Sequence, residues 1–293
     1  MKTIKERANA KINLYLDVLA KREDGFHDVK TVMHSVEFGD DITVTAEPAP
    51  ETTVTISVAG NRFLPTDTRN LAVRAAYLFL ERARLCAAVE IRMVKRIPIA
   101  AGLAGGSSDA AAVLRALNKI YGKLFSIPAL NAIAAELGSD VVYCLYGKCA
   151  LCEGRGEIIT KVKTTLNMYA VIAIANEHMS TPTAYKALDG VFSDFDGTKA
   201  TGGEAYFDKL MTSLAKNCLD INGLFNVFEP AVLPMCPGAI AIKEKLMEKG
   251  ARAAMMSGSG PSVFGIFDTL EDSKRACFEL RADGYKAYYA KLL

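Results

Sequence analysis

The densest chemistry in the sequence is the run K-R-I-P-I-A-A-G-L-A-G-G-S-S-D-A-A-A-V-L-R-A-L, which begins at Lys95. Gly102, Gly105 and Gly106 tolerate positive φ and let backbone N–H groups crowd toward one anion. A helix opening near Ser107 would aim its unpaired amides and positive dipole end at the same point. Ser107 and Ser108 add hydroxyls able to bind phosphate or a phosphate-bound Mg2+. No Gly-Lys-Ser/Thr closes the turn, so it is not a Walker loop, and it does not follow the first strand as Gly-x-Gly-x-x-Gly does. A serine-capped connection from strand to helix is the plainer alternative. Three glycines and two hydroxyls at one helix entry are more than a cap requires, so a cradle for nucleotide phosphates is the reading taken.

The elements that must hold this turn follow from periodicity. K-I-N-L-Y-L-D-V-L-A, T-V-M-H-S-V-E-F, D-I-T-V-T-A and T-T-V-T-I-S-V read as strands, rich in β-branched or aromatic residues and separated by Gly, Asp or Pro. From Asn70 the period changes, with Ala72, Ala75, Ala76, Phe79 and Ala83 on one helical face, before V-E-I-R-M-V returns to a strand. Ala110, Val113, Leu114, Leu117 and Tyr121 form the stripe of the helix after the glycine turn. Ser126 with Pro128 opens another helix, and Gly138 ends it. The segment Y-C-L-Y-G-K-C-A-L-C-E-G reads as a strand, followed near Gly154 to Lys163 by a candidate boundary. Beyond it M-Y-A-V-I-A-I-A, A-R-A-A-M-M-S and S-V-F-G-I-F read as strands. A helix runs from Ala239 to Lys249, and Thr269 with Asp272 caps a last one. Val191 to Glu204, polar and glycine-bearing, reads as a mobile loop.

Composition narrows the partners. The chain has 293 residues and a formal charge of +2 from 35 basic and 33 acidic side chains, well mixed along its length. That balance offers no broad basic field for nucleic acid or an anionic membrane, so a bound polyanion should be small. No apolar run approaches the roughly 18 residues needed to span a bilayer. Seven scattered cysteines, an odd number, do not form a disulfide framework and point to a reducing cytosol, hence a cytoplasmic protein. Cys149 and Cys152 form a C-x-x-C, but it lies in a predicted strand and lacks a second ligand pair.

The turn P-I-A-A-G-L-A-G-G-S-S-D-A-A resembles the ATP-binding motif of the GHMP kinases. The opening A-N-A-K-I-N-L-Y-L-D-V, with R-E-D-G-F-H-D-V after it, and the closing M-M-S-G-S-G-P-S-V-F-G match the other two motifs of that family in order and spacing. The opening pair is most similar to the isoprenoid-precursor members of the non-mevalonate pathway, which phosphorylate the 2-hydroxyl of a cytidine diphosphate-linked methylerythritol. The resemblance implies an α+β, two-domain GHMP kinase fold. Residues 1–160 would form a ribosomal-protein-like α/β ATP-binding domain and residues 161–293 a ferredoxin-like α+β domain, with the active site between them. It implies ATP and Mg2+, a small-molecule acceptor, no nucleic acid and no membrane, and a monomer or weak homodimer.

Residue by residue, Asp140 matches the family's catalytic aspartate, and a carboxylate is an acceptor able to take an alcohol proton. Lys11 matches its paired lysine. A helix cap at Asp140 and a solvated strand lysine at Lys11 are the ordinary alternatives. Asn70, Lys95, Pro98, Ile99, Gly102, Leu103, Gly105, Gly106, Ser107 and Ser108 match nucleotide positions, with Ser108 the candidate for touching Mg2+. Asn13, Phe26, His27, Thr181, Tyr185, Ser257, Gly258, Ser259 and Gly260 match the acceptor side, where Phe26 and Tyr185 would sandwich the pyrimidine and His27 read its edge. The family more often has Tyr where Phe26 stands. Ala100, Ala101 and Ala104 replace family glycines, and a Cβ at those points disfavours positive φ. Homoserine-type or mevalonate-type kinases and a non-catalytic ligand-binding member of the same superfamily are the alternatives.

Overall fold

The computed structural model describes residues 1–191 and 202–293. Most of the loop expected from Val191 to Glu204 lies outside the described residues. The chain forms two compact units that interleave along the sequence: residues 1–10, 39–99 and 104–147 in the first, and 11–38, 100–103 and 148–293 in the second. An expected cut near residue 160 would give consecutive halves instead.

Strands β1 (Lys2–Lys21) and β2 (His27–Pro48), each of which contributes residues to both units, and β3 (Thr53–Ala59) and β4 (Ala87–Val94) of the first unit follow the spatial order β3-β4-β2-β1. β4 runs antiparallel to β2 and parallel to β3. β2 joins two segments expected as separate strands, because Gly39 does not break it. A Cβ there would sit 2.3 Å from the carbonyl oxygen of Ala8, so this glycine serves a close backbone approach. Helix α1 (Leu71–Ala83) is capped by Asn70, whose side chain accepts from the amide of Ala72, and it buries Ala72, Ala75, Ala76 and Phe79 as the stripe predicts.

Helix α2 (Gly105–Ile120) starts two residues earlier than expected and is enclosed along most of its length, with Ala110, Ala111 and Ala112 fully buried. Small side chains let neighbours approach its backbone closely. Helices α3 (Ile127–Leu137, capped by Ser126) and α4 (Ser139–Tyr146) complete the unit. The strand expected from Tyr143 is therefore corrected: Tyr143 to Tyr146 is the last turn of α4, stopped at Gly147 with φ of 64°.

In the second unit, β5 (Cys149–Glu153) pairs with Thr31 to His34 of β2 and with β6 (Ile158–Lys161). β7 (Tyr169–Ile174) is followed by α5 (Thr181–Val191), α6 (Glu204–Leu214), β8 (Phe225–Asn226), α7 (Glu229–Val232) and α8 (Pro237–Glu248). β9 (Ala253–Met256), β10 (Ser262–Phe267), α9 (Leu270–Ala282) and β11 (Lys286–Lys291) complete the chain. The order β11-β7-β10-β9, antiparallel throughout with crossover helices, is a ferredoxin-like sheet. Its core joins Leu16, Val18 and Val29 to Val171, Phe228, Leu246 and Phe267. At Thr269 the expected cap forms: the hydroxyl accepts from the amide of Asp272 at 3.1 Å and donates to its carboxylate at 2.7 Å. The seven cysteines are free thiols, and burial pushes Cys149 up to about 12, which keeps it from being a thiolate.

Candidate active site

In the first unit the start of α2 carries the anion-binding features. Its N-cap, Ala104, has no side chain to offer the helix, and the amide of Ser108 is the first to bond back, to the carbonyl of Ala104. The amides of Gly105, Gly106 and Ser107 are thus the donors that helix geometry leaves without an intrahelical acceptor. Gly106 is exposed and Ser107 half-buried. Ser108 is buried, and its hydroxyl donates to the carbonyl of Asn9 at 2.7 Å, leaving the oxygen lone pairs as its unclaimed part.

The entry to that helix is set by a buried ion cluster the sequence did not reveal. Nζ of Lys95 lies 2.6 Å from Oδ2 of Asp40 and 2.6 Å from Oδ2 of Asp109, with all three side chains at most 4% exposed. Oδ1 of Asp40 accepts from the amides of Arg96 and Ile97. Oδ1 of Asp109 is buried without a partner, and burial pushes this carboxyl above the usual range, against the pull of Lys95 and with the like charge of Asp40 adding to the rise. Gly105 is required here, since a Cβ would fall 2.9 Å from Ile97 Cγ2 and 3.1 Å from Lys95 Nζ. Lys95, matched above to a nucleotide position, thus spends its donors on two carboxylates. Asn70 is similarly engaged, as the α1 cap and as a donor to the carbonyl of Pro65 at 2.9 Å. Pro98 is half-buried and Ile99 half-exposed, at 51%.

Asp140 occupies the first turn of α4, half-buried, and makes no hydrogen bond or ion pair with the described residues. Gly138, its N-cap, supplies no side chain either. Arg115 fixes α4 relative to α2: its guanidinium bonds the carbonyl of Cys144 at 2.6 Å and Glu6 at 2.9 Å. The free carboxylate is therefore carried by a helix braced against α2 of the same unit.

In the second unit Lys11 and Asn13, two apart on β1 and so on one face of it, are both buried and joined by a 2.6 Å bond from Nζ to Oδ1. Nδ2 of Asn13 donates to Thr31 Oγ1 at 2.9 Å. The backbone of Lys11 donates to the carbonyl of Leu103 at 3.2 Å. Gly102, at φ of 70°, packs so tightly that a Cβ would lie 2.3 Å from the carbonyl oxygen of Ser257, whose hydroxyl donates back to the Gly102 carbonyl at 3.2 Å. A Cβ on Gly258 would come 3.4 Å from Lys11 Nζ. Residues from all three sequence motifs, Lys11, Asn13, Gly102, Leu103, Ser257 and Gly258, thus meet within this unit. Gly260 closes the turn by donating to the carbonyl of Ser257.

The remaining acceptor-side residues form a neighbouring group. Thr181 Oγ1 and Ser259 Oγ are 3.2 Å apart. The rings of His27 and Tyr185 stack at 4.5 Å, and Nε2 of His27 lies 3.2 Å from Asp189. Phe26 is 56% exposed, with the Arg155 guanidinium 5.1 Å from its ring centre. Its accessible face and the Tyr185 ring are present, though Tyr185 already has His27 against it.

Ala100 and Ala104 both adopt positive φ, 53° and 55°, so the alanines hold the left-handed backbone their Cβ atoms disfavour. Among the described residues no group of three or more His, Cys, Asp or Glu could hold a metal ion.

Residues 70–148 match the model of the GHMP kinase N-terminal domain, and residues 200–286 that of the GHMP kinase C-terminal domain. The chain is 39% identical over 293 residues to the 4-diphosphocytidyl-2-C-methyl-D-erythritol kinase of Bacillus subtilis, covering 99% of this chain and 97% of that protein. It is 39% identical over 287 residues to the kinase of the same name from Geobacillus thermodenitrificans, covering 98% and 96%. A crystal structure of 4-(cytidine 5'-diphospho)-2C-methyl-D-erythritol kinase superposes with a TM-score of 0.79 at 31% identity, over 99% of both chains.

Proposed function

The chain belongs to the 4-diphosphocytidyl-2-C-methyl-D-erythritol kinases of the GHMP family, and from that premise we propose that it transfers the γ-phosphoryl of ATP to the 2-hydroxyl of that cytidine diphosphate-linked polyol. The observation that carries the nucleotide half of this reading is the uncapped start of α2, where three amides have no capping side chain to occupy them.

In-line transfer needs an oriented hydroxyl, an acceptor for its proton and compensation for charge developing on the phosphoryl oxygens. Asp140 takes the proton from the acceptor hydroxyl as that oxygen bonds to the γ-phosphorus and the bond to the ADP oxygen breaks. Its freedom from other partners supports this role. Lys11, held by Asn13, supplies fixed positive charge to the hydroxyl or the transferring group. Gly102 to Ser108 bind the phosphates with Pro98 and Ile99 beside them, while Asn70, the cap of α1, and Lys95, held by Asp40 and Asp109, have their side-chain bonds within the protein. Mg2+ bound with the phosphates supplies charge neutralisation, and the Ser108 oxygen is the residue that would touch it.

On the acceptor side, Asn13, Thr181 and Ser257 to Gly260 hold the polyol or diphosphate portion. Phe26 and Tyr185 offer aromatic faces for the base, and His27 its ring edge. Incubation of the protein with ATP, Mg2+ and the acceptor should yield a product heavier by one phosphoryl group. Absence of that product, or equal kcat/KM with a uridine version of the acceptor, would overturn the activity or the base recognition respectively.

A further inference from the structure

Asn226 lies on β8, the two-residue strand that pairs in parallel with Tyr15 and Leu16 of β1, and is 4% exposed. Both ends of its carboxamide are engaged. Nδ2 donates to the carbonyl of Met256 at 2.8 Å and to that of Gly258 at 2.9 Å, while Oδ1 accepts from the amide of Phe228 at 3.0 Å. Three residues on, Oε1 of Glu229 accepts from the amide of Met256 at 2.9 Å, and its Oε2 is paired with Lys243 at 2.6 Å. Asn226 and Glu229 therefore grip both peptide groups of Met256, and Asn226 alone reaches past it to Gly258.

Gly258 is the residue whose Cα hydrogen faces Lys11: a Cβ there would be 3.4 Å from Nζ and 3.6 Å from Asn13 Oδ1. The turn that carries it is also held by a 2.9 Å bond from the amide of Ser257 to the carbonyl of Ser262, the closing bond of Gly260, the Ser257 hydroxyl and the contact of Ser259 with Thr181, none of which reaches the Gly258 carbonyl. From these contacts we infer that Asn226 is a positioning residue for phosphoryl transfer. It fixes the glycine turn at the distance where Lys11 is confined on its strand, and it touches neither substrate nor reacting atoms. The inference rests on the kinase reading above.

The test is steady-state kinetics on the full chain with ATP, Mg2+ and the polyol acceptor. Asn226→Asp keeps the shape but sets a carboxylate oxygen against two carbonyls. A misplaced Lys11 weakens the transition state and a displaced turn weakens acceptor binding, so kcat should fall about 30-fold and the acceptor KM rise, with the KM for ATP within about threefold. Lys243→Met removes the ion pair behind Glu229 without freeing Gly258, and should keep kcat within about twofold at a comparable loss of stability. In parallel, amide hydrogen exchange of the 254–260 segment should accelerate in Asn226→Asp and not in Lys243→Met. Should Asn226→Asp fail to fold, Asn226→Ser, which keeps one donor, takes its place with an expected loss of about tenfold.

Turnover within twofold of wild type in the Asn226 variant, or an equal loss in Lys243→Met, would overturn the positioning role while leaving the kinase reading intact. A wild-type protein without turnover would be recognised before any variant was compared, and would overturn the kinase reading and the positioning role together.

Discussion

Nζ of Lys11 and Oδ1 of Asn13 are 2.6 Å apart, and Asn13 is itself oriented by Thr31, whose hydroxyl donates to the carbonyl of Tyr15 at 2.6 Å. The chain of bonds leaves only one way round for the Asn13 carboxamide, with its oxygen toward the ammonium. Asn13→Leu removes that acceptor and leaves both Lys11 and Thr31 short of a buried partner. Stability should drop by about 1–3 kcal/mol in urea unfolding, and kcat by about tenfold, because a buried polar group without its bond retains the cost of desolvation.

Asp140→Asn separates chemistry from folding. The carboxylate has no hydrogen bond to lose, so the urea midpoint should move by no more than about 0.5 kcal/mol equivalent. The kcat should fall at least about 100-fold, the lower end of what a positioned base contributes. Near-normal turnover would remove Asp140 from the mechanism. Lys11→Ala should lower kcat by at least a similar factor, about 100-fold, with the fold retained.

Lys95→Met tests the buried cluster. Asp40 and Asp109 would face each other with no cation between them, and breaking a buried pair by removing one partner typically costs about 3–5 kcal/mol. The same replacement combined with Asp40→Asn and Asp109→Asn should recover a substantial part of that loss. A single variant as stable as wild type would mean that the cluster contributes nothing to holding the entry of α2.

Ala104→Gly addresses the strained turn. An L-residue in the left-handed region costs about 1–2 kcal/mol, against about 0.4–1 kcal/mol for the extra freedom glycine gives the unfolded chain. The balance favours glycine by about 0.5 kcal/mol, read as a higher urea midpoint at unchanged slope. Ala100→Gly should behave alike.

His34 makes stability depend on pH. Burial lowers its pKa below the ordinary 6.5, with Nδ1 bonded to the Ser35 carbonyl and Nε2 buried without a partner. The ring is neutral in the fold and gains a proton more readily when unfolded. Its stabilising contribution is therefore present above pH 6.5 and is lost progressively as pH falls below that value. Unfolding free energy should decline from about pH 7.5 to about pH 5.5 in wild type, and decline less in His34→Phe. Equal slopes would exclude His34 as the cause.

Local signals were legible in the residues. Ser126 and Thr269 announced helix starts through their own side chains, while Asn70 marked only the change of period and its capping role was missed; the α1 stripe followed from spacing alone. What escaped were relations between distant residues. Asp40 and Lys95 are 55 positions apart, and Gly39, which read as a strand breaker, is instead a point of contact with Ala8 inside one long strand. Nothing near Asn226 marks it, because its three partners are backbone groups that any sequence would supply. The left-handed alanines run against local preference, so only the surrounding structure can impose them. The candidate site was readable as a set of motifs, while the scaffolding that aims it was not.

Because β1 and β2 each lend residues to both compact units, neither unit is a contiguous stretch of polypeptide. Expressing 161–293 by itself would discard residues 11–38, and with them Leu16, Val18 and Val29 from the core that Phe228 and Leu246 share. Such a fragment should be insoluble or molten, and a gene crossover near its middle would splice mismatched strands into both units at once. This architecture is inherited whole or not at all.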